Sequence, residues 1–204
     1  MTMDSRIFYA INHFSRDTPW LHPIVSGYAA YGVVLFAALL LAGWWSARRA
    51  ADPVRMVAAV WAPVGMLVAL ALNQPVAAAV NETRPCQALH DIVVLHCNTD
   101  PGFPSDHAVM AGAVTAGLWL VRWRLGVLAA VAAAVMAFSR VYIGAHYPQD
   151  VLAGVVFGAV VSIAGYILLR PLLRRVLAMI AATPLGILLV PRDPKSAVPQ
   201  KRSA

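Results

Sequence analysis

IVSGYAAYGVVLFAALLLAGWW, residues 24–45, is an uncharged run of 22 residues. A helix needs roughly 20 consecutive apolar residues to cross the hydrocarbon of a bilayer, so this stretch predicts a membrane span. Trp20, Trp44 and Trp45 stand near its ends, where amphipathic rings favour the interface. Arg48 and Arg49 close it.

Outward from that run the same pattern repeats. Apolar stretches from Val54 to at least Leu72, Ser105 to Val121, Leu125 to Tyr142 and Gln149 to Leu169 predict four more spans. Pro63 and Pro75 fall in the second, where neighbouring helices can re-satisfy a broken backbone bond. Residues 176–190 are apolar but interrupted by Pro184 and Gly186. Fifteen residues make about 22 Å of helix, short for a crossing unless the helix begins earlier and carries Arg174 and Arg175 at its edge. The expected fold is an all-α polytopic membrane bundle of five to six transmembrane helices. Residues 1–191 are expected to form one membrane-embedded domain, and 192–204 a disordered cytoplasmic tail. Residues 1–21, with Ile7, Phe8, Ile11 and Phe14 at helical spacing, read either as an amphipathic surface segment or as a frayed tail.

Composition agrees. The chain is 60% hydrophobic and 12% charged, against about 25% charged in a soluble domain. The net charge of +7 does not point to nucleic acid. Its arginines sit in short clusters beside apolar runs, at 48, 49 and 55, at 122 and 124, and at 170, 174 and 175. That is the signature of cytoplasmic loops. It places the N-terminus outside, where Arg6 and Arg16 fit the charge rule less well. It also places three polar segments together on the extracytoplasmic side: Arg84-Pro85, Pro104 to His107, and Ser139 to Asp150. No cleavable signal peptide is expected, because Asp4, Arg6, His13, Arg16 and Asp17 interrupt the first twenty residues.

Those segments carry the chemistry. His146 and Asp150 are i and i+4, so their side chains share a helix face. A carboxylate beside one ring nitrogen fixes the tautomer and leaves the other nitrogen as a nucleophile toward phosphorus. The competing reading is a capping pair at the start of the fifth span. His107 is placed to act as a general acid. Ser105 begins a helix, whose N-terminus presents free N–H groups and favours phosphate. Arg84 and Arg140 offer planar donors that match phosphate oxygens. Asp106 and Glu82 are carboxylates close in sequence to that site, either orienting an arginine or facing away. No metal or other cofactor is expected: HExxH and CxxC pairs are absent, and the spacing of His90, Asp91 and His96 is not that of a zinc site. Cys86 and Cys97 lie in the long outer loop, in a compartment that permits a disulfide.

The three segments resemble the signatures of the type 2 phosphatidic acid phosphatase superfamily: a lysine followed by Arg-Pro, then Pro-Ser-Gly-His, then Ser-Arg, five residues, His, three residues and Asp. The match runs from Arg84-Pro85 through Pro104-Ser105-Asp106-His107 to Ser139-Arg140, His146 and Asp150, about one third of the chain. The resemblance implies His146 as nucleophile, Asp150 as its orienter, His107 as general acid, and Arg84, Ser105 and Arg140 as phosphate ligands, without a metal. Two positions depart. The signature lysine would fall near Ala77 or Ala78, and no lysine precedes Lys195; Asn73, Gln74 or Asn81 are the candidate replacements. The signature glycine is Asp106. The form of the first two segments looks like the bacterial undecaprenyl-diphosphatase branch, linked to bacitracin resistance and peptidoglycan synthesis, which implies an isoprenoid lipid diphosphate substrate in the bacterial plasma membrane. The alternatives are another lipid phosphate, such as phosphatidate, phosphatidylglycerol phosphate or a decaprenyl-phosphoryl sugar phosphate, or a non-catalytic lipid-binding or flipping protein.

Overall fold

The computed structural model describes residues 3–189. Seven α-helices follow in order: α1 (Met3–Asp17), α2 (His22–Ala50), α3 (Pro53–Val80), α4 (Pro85–Ala88), α5 (Asp106–Val121), α6 (Trp123–Tyr142) and α7 (Pro148–Ala181). The tail expected at 192–204 lies outside the described residues.

Four helices, α2, α3, α6 and α7, are long and apolar enough to cross a membrane, and α5 is a shorter apolar helix between them. Their outer faces are apolar. On α7, Leu152, Val156, Val160, Ile163 and Ile167 are exposed at helical spacing, a stripe suited to the lipid of a bilayer. The chain is a multi-pass membrane bundle.

α5 sits in the middle, packed on α3, α6 and α7. Small residues make this possible, as at close helix crossings within bilayers. A Cβ on Gly112 would meet the Val155 backbone, and one on Gly154 would stand 2.8 Å from the Ser105 carbonyl oxygen. Gly154, in the second turn of α7, therefore lets that helix touch the start of α5, and the Ser105 amide donates to the Asp150 carbonyl at 3.1 Å.

Among the described residues, 176–189 do not form a separate crossing. α7 runs through Leu169 and Arg170 to Ala181, and a 3-10 turn at Pro184–Leu188 follows. At 34 residues it is about 51 Å long, with Pro171 inside it. α3 likewise continues unbroken past Pro63 and Pro75. Asp52 caps its start, its Oδ1 accepting from the Val54 and Arg55 amides. Asn81 ends it in the left-handed region at φ 50°, which asparagine tolerates better than most residues.

α1 is neither frayed nor free. Phe8, Asn12 and Ser15 face inward. Asn12 takes both backbone groups of Val93, donating to its carbonyl at 2.8 Å and accepting from its amide at 3.0 Å. Arg16 donates to the Asp91 carbonyl, which accounts for a cation at this end. α1 thus braces the long loop between α4 and α5.

Candidate active site

The six polar residues of the three segments all fall at one end of the bundle, near the end of α3, the start of α5, the end of α6 and the start of α7. Arg84, Ser105, Arg140, His146 and Asp150 are buried, each less than 5% exposed. Charged groups so deep require partners.

Arg84 is the most heavily bonded. Its Nε donates to the Asp100 carbonyl at 2.8 Å, and its Nη2 to Asp100 Oδ2 at 2.6 Å and the Pro101 carbonyl at 3.2 Å. Its Nη1 stands 2.6 Å from His146 Nε2. A guanidinium has no acceptor, so His146 Nε2 must be the bare nitrogen and Nδ1 must carry the proton. Nδ1 then donates to the Gly102 carbonyl at 2.9 Å. Burial first, and then the charges of Arg84 and Arg140, hold the imidazole well below its ordinary pKa, against the opposing Gly102 bond. His146 is therefore a neutral base with a lone pair facing cations. Asp100 is partly buried, which favours its neutral form, but the Arg84 charge and hydrogen bond prevail and its carboxyl titrates below the usual range.

Asp150 lies beside this imidazole without taking its proton. Oδ2 is 3.5 Å from Nδ1, beyond a good hydrogen bond. The same oxygen accepts from the Tyr147 amide at 2.8 Å as part of a capping box. The capping reading of this carboxylate matches the geometry, since it closes the first turn of α7, whereas the tautomer-fixing bond expected of it is made by the Gly102 carbonyl.

Ser105 occupies the N-cap of α5, but its side chain makes no capping bond. Its buried Oγ, like the Nε of Arg140, has no hydrogen-bond partner among the described residues. His107 and Arg140 border a common cavity of about 360 Å³. The end of α6 is reinforced where the Arg140 carbonyl accepts from the Ala145 amide at 3.1 Å.

The departures from the resemblance have a structural answer. Asn73, fully buried, donates to the Pro104 carbonyl at 3.1 Å and to Asp106 Oδ1 at 2.7 Å, and Gln74 donates to the same carboxylate. These amides are engaged with the Asp106 carboxylate, and Asn81 serves as the cap of α3. The Asn73 and Gln74 amides are thus taken up by Asp106 rather than left free for a phosphate. Asp106 is turned toward α3. Glu82 also turns aside, accepting from Gln149 Nε2 at 2.9 Å. Cys86 and Cys97 are joined by a disulfide, their Cα atoms 5.8 Å apart. Among the described residues no group of three or more His, Cys, Asp or Glu could hold a metal ion.

Two contributors escaped the sequence reading: the Gly102 carbonyl and Asp100. A backbone carbonyl carries no sequence signal. Asp100 could have been suspected only as a carboxylate on the loop between the arginine and the serine.

Residues 58–174 match the PAP2 superfamily. The chain belongs to that superfamily, which makes it a phosphatase, a hydrolase acting on phosphate esters. It is 26% identical over 160 residues to undecaprenyl-diphosphatase BcrC of Bacillus subtilis, covering 78% of this chain and 81% of that one. Its fold resembles the crystal structure of Aquifex aeolicus LpxE, at 21% identity and a TM-score of 0.66 over 82% of this chain and 96% of that one. It also resembles a transmembrane PAP2-type phosphatidylglycerolphosphate phosphatase from Bacillus subtilis, at 21% identity and a TM-score of 0.58 over 81% and 87% of the two chains.

Proposed function

We propose that this membrane phosphatase hydrolyses an isoprenoid lipid diphosphate, of the undecaprenyl class, to the monophosphate on the extracytoplasmic face. The observation that carries the reading is the neutral imidazole of His146, with Nε2 held 2.6 Å from Arg84 and Nδ1 bonded to Gly102.

The distal phosphoryl group takes the place of His146 Nε2 as the partner of Arg84. Arg84, Arg140 and the Ser105 hydroxyl hold its equatorial oxygens, where charge develops. His146 Nε2 attacks phosphorus, and the bond to the bridging oxygen breaks. His107 donates its proton to that oxygen, and the lipid monophosphate leaves. The ring now carries charge, which the Asp150 carboxylate offsets. Water then attacks the phosphohistidine, His107 accepts its proton, and inorganic phosphate departs. No step requires a metal.

The orientation follows from charge. Arg48, Arg49, Arg55, Arg122, Arg124, Arg170, Arg174 and Arg175 lie toward the end of the bundle opposite the site, and arginine-rich ends face the cytoplasm. The disulfide beside the site suits an oxidising compartment. The substrate assignment rests on the BcrC relative's name.

Phosphate release by the purified protein in detergent with EDTA is the test. Turnover should be highest on a prenyl diphosphate and lower on phosphatidate, phosphatidylglycerol phosphate or a decaprenyl-phosphoryl sugar phosphate. Preference for one of these would reassign the substrate. Lipid-dependent function that survives His146→Ala would point to a carrier.

A further inference from the structure

The cavity that His107 and Arg140 border is also lined by His96 and Asn98, which flank the disulfide-bonded Cys97, and by Ser26 and Ala30 of α2. At about 360 Å³ it has the size of a small-ligand site. His96 and Asn98 belong to none of the three segments, yet their backbone is fixed at several points. The Leu95 amide donates to the Ile143 carbonyl at 3.0 Å, directly after α6. Cys97 is tied to Cys86. Gln87 Nε2 donates to the Asn98 carbonyl at 2.9 Å. These ties hold two polar side chains at the cavity wall on a segment without regular structure.

We infer that His96 and Asn98 form a subsite for the proximal phosphate of a lipid diphosphate, the phosphate that stays on the lipid. This deepens the reading above and rests on it. In an in-line displacement the nucleophile and the leaving oxygen lie on opposite sides of phosphorus. His146 is the nucleophile and His107 protonates the leaving oxygen, so the leaving group lies on the His107 side. When the bridging bond breaks, its electron pair goes to the bridging oxygen, which takes the His107 proton, and the departing lipid phosphate keeps its own negative charge. The imidazole of His96 and the amide of Asn98 carry N–H donors for that charge. When the substrate is itself a lipid monophosphate, the leaving group is an uncharged alcohol with no phosphate to place there. Ser26 adds a hydroxyl, and Ala30, exposed on α2, leaves room for the prenyl chain to pass to the bilayer.

The test measures binding apart from turnover. Methylenebisphosphonate and orthophosphate are titrated calorimetrically into the full-length protein in detergent. The wild type should prefer the bisphosphonate. His96→Ala and Asn98→Ala should each reduce that preference about tenfold, the scale of one hydrogen bond to a charged group, and His96→Gln, which keeps an N–H donor, should retain most of it. Equal affinity of the wild type for both ligands overturns the subsite, as does a parallel loss of both affinities in the variants. A protein that shows the preference but hydrolyses no prenyl diphosphate would uphold the subsite and refute the catalytic reading.

Discussion

Arg84 Nη1 stands 2.6 Å from His146 Nε2 and donates to the lone pair that would attack phosphorus. On the proposed mechanism, the resting protein thus masks its nucleophile with a phosphate-binding donor. An incoming phosphoryl group has to replace the imidazole as the arginine's partner, which brings phosphorus to the nitrogen it has just freed. Arg84→Ala should lower kcat by about 10²–10³, the range seen when one donor to a developing oxyanion is removed. Arg84→Lys should recover little of this, because an ammonium lacks the planar fork that also grips Asp100 and the Pro101 carbonyl. Steady-state kinetics on a lipid diphosphate checks both.

Asp150 sits 3.5 Å from His146 Nδ1, while the Gly102 carbonyl accepts that proton at 2.9 Å. The tautomer therefore survives loss of the carboxylate charge. Asp150→Asn should reduce kcat by on the order of 10²-fold, through poorer stabilisation of the charged ring. It should not reach the ~10⁴-fold of a triad whose carboxylate alone sets the tautomer. A 10⁴-fold loss with an intact fold would assign Asp150 the tautomer role.

The depressed pKa of His146 has a consequence for stability. An unfolded histidine takes up a proton near pH 6.5, whereas the buried ring refuses it. The unfolded state then binds more protons, so stability falls as pH drops below about 6.5, and the penalty is absent above it. The melting temperature of the wild type should fall between pH 7.5 and 5 more steeply than that of His146→Gln. Parallel curves for the two proteins would contradict the buried neutral imidazole.

Asn73 joins the middle of the bundle to the turn that carries Ser105 and His107, through Pro104 and Asp106. Asn73→Ala leaves the Asp106 carboxylate and a buried carbonyl short of donors. It should destabilise the fold by about 1–3 kcal/mol and lower kcat, because Ser105 and His107 lose their support. Denaturant unfolding and kinetics on the same preparation measure the two effects.

The membrane class was legible because apolar runs long enough to span have few other uses. Helix ends were less so. Leu169-Arg170-Pro171 reads as a stop, yet α7 continues, since an arginine on a long stem can reach the interface from inside a helix and a proline costs less where neighbours satisfy the freed carbonyl. The second span is expected only to at least Leu72, but Asn73 faces inward to Asp106 and the helix runs unbroken to Val80. The six candidate residues stood out because their types and spacing are unusual in so apolar a chain, and the fold brings them to one end of the bundle. The supports of His146 and Arg84 were not, because Gly102 contributes only its backbone and Asp100 comes into reach only when the disulfide loop folds back.

On the proposed mechanism, His146 Nε2 becomes bonded to phosphorus. Rapid base quench of the enzyme during turnover of a lipid diphosphate labelled in its distal phosphate tests this directly, followed by peptide mass spectrometry under alkaline conditions. A base-stable, acid-labile phosphoryl group should appear on His146 and be absent, along with phosphate release, from His146→Ala. Sustained release by His146→Ala, or label on another side chain, would contradict it.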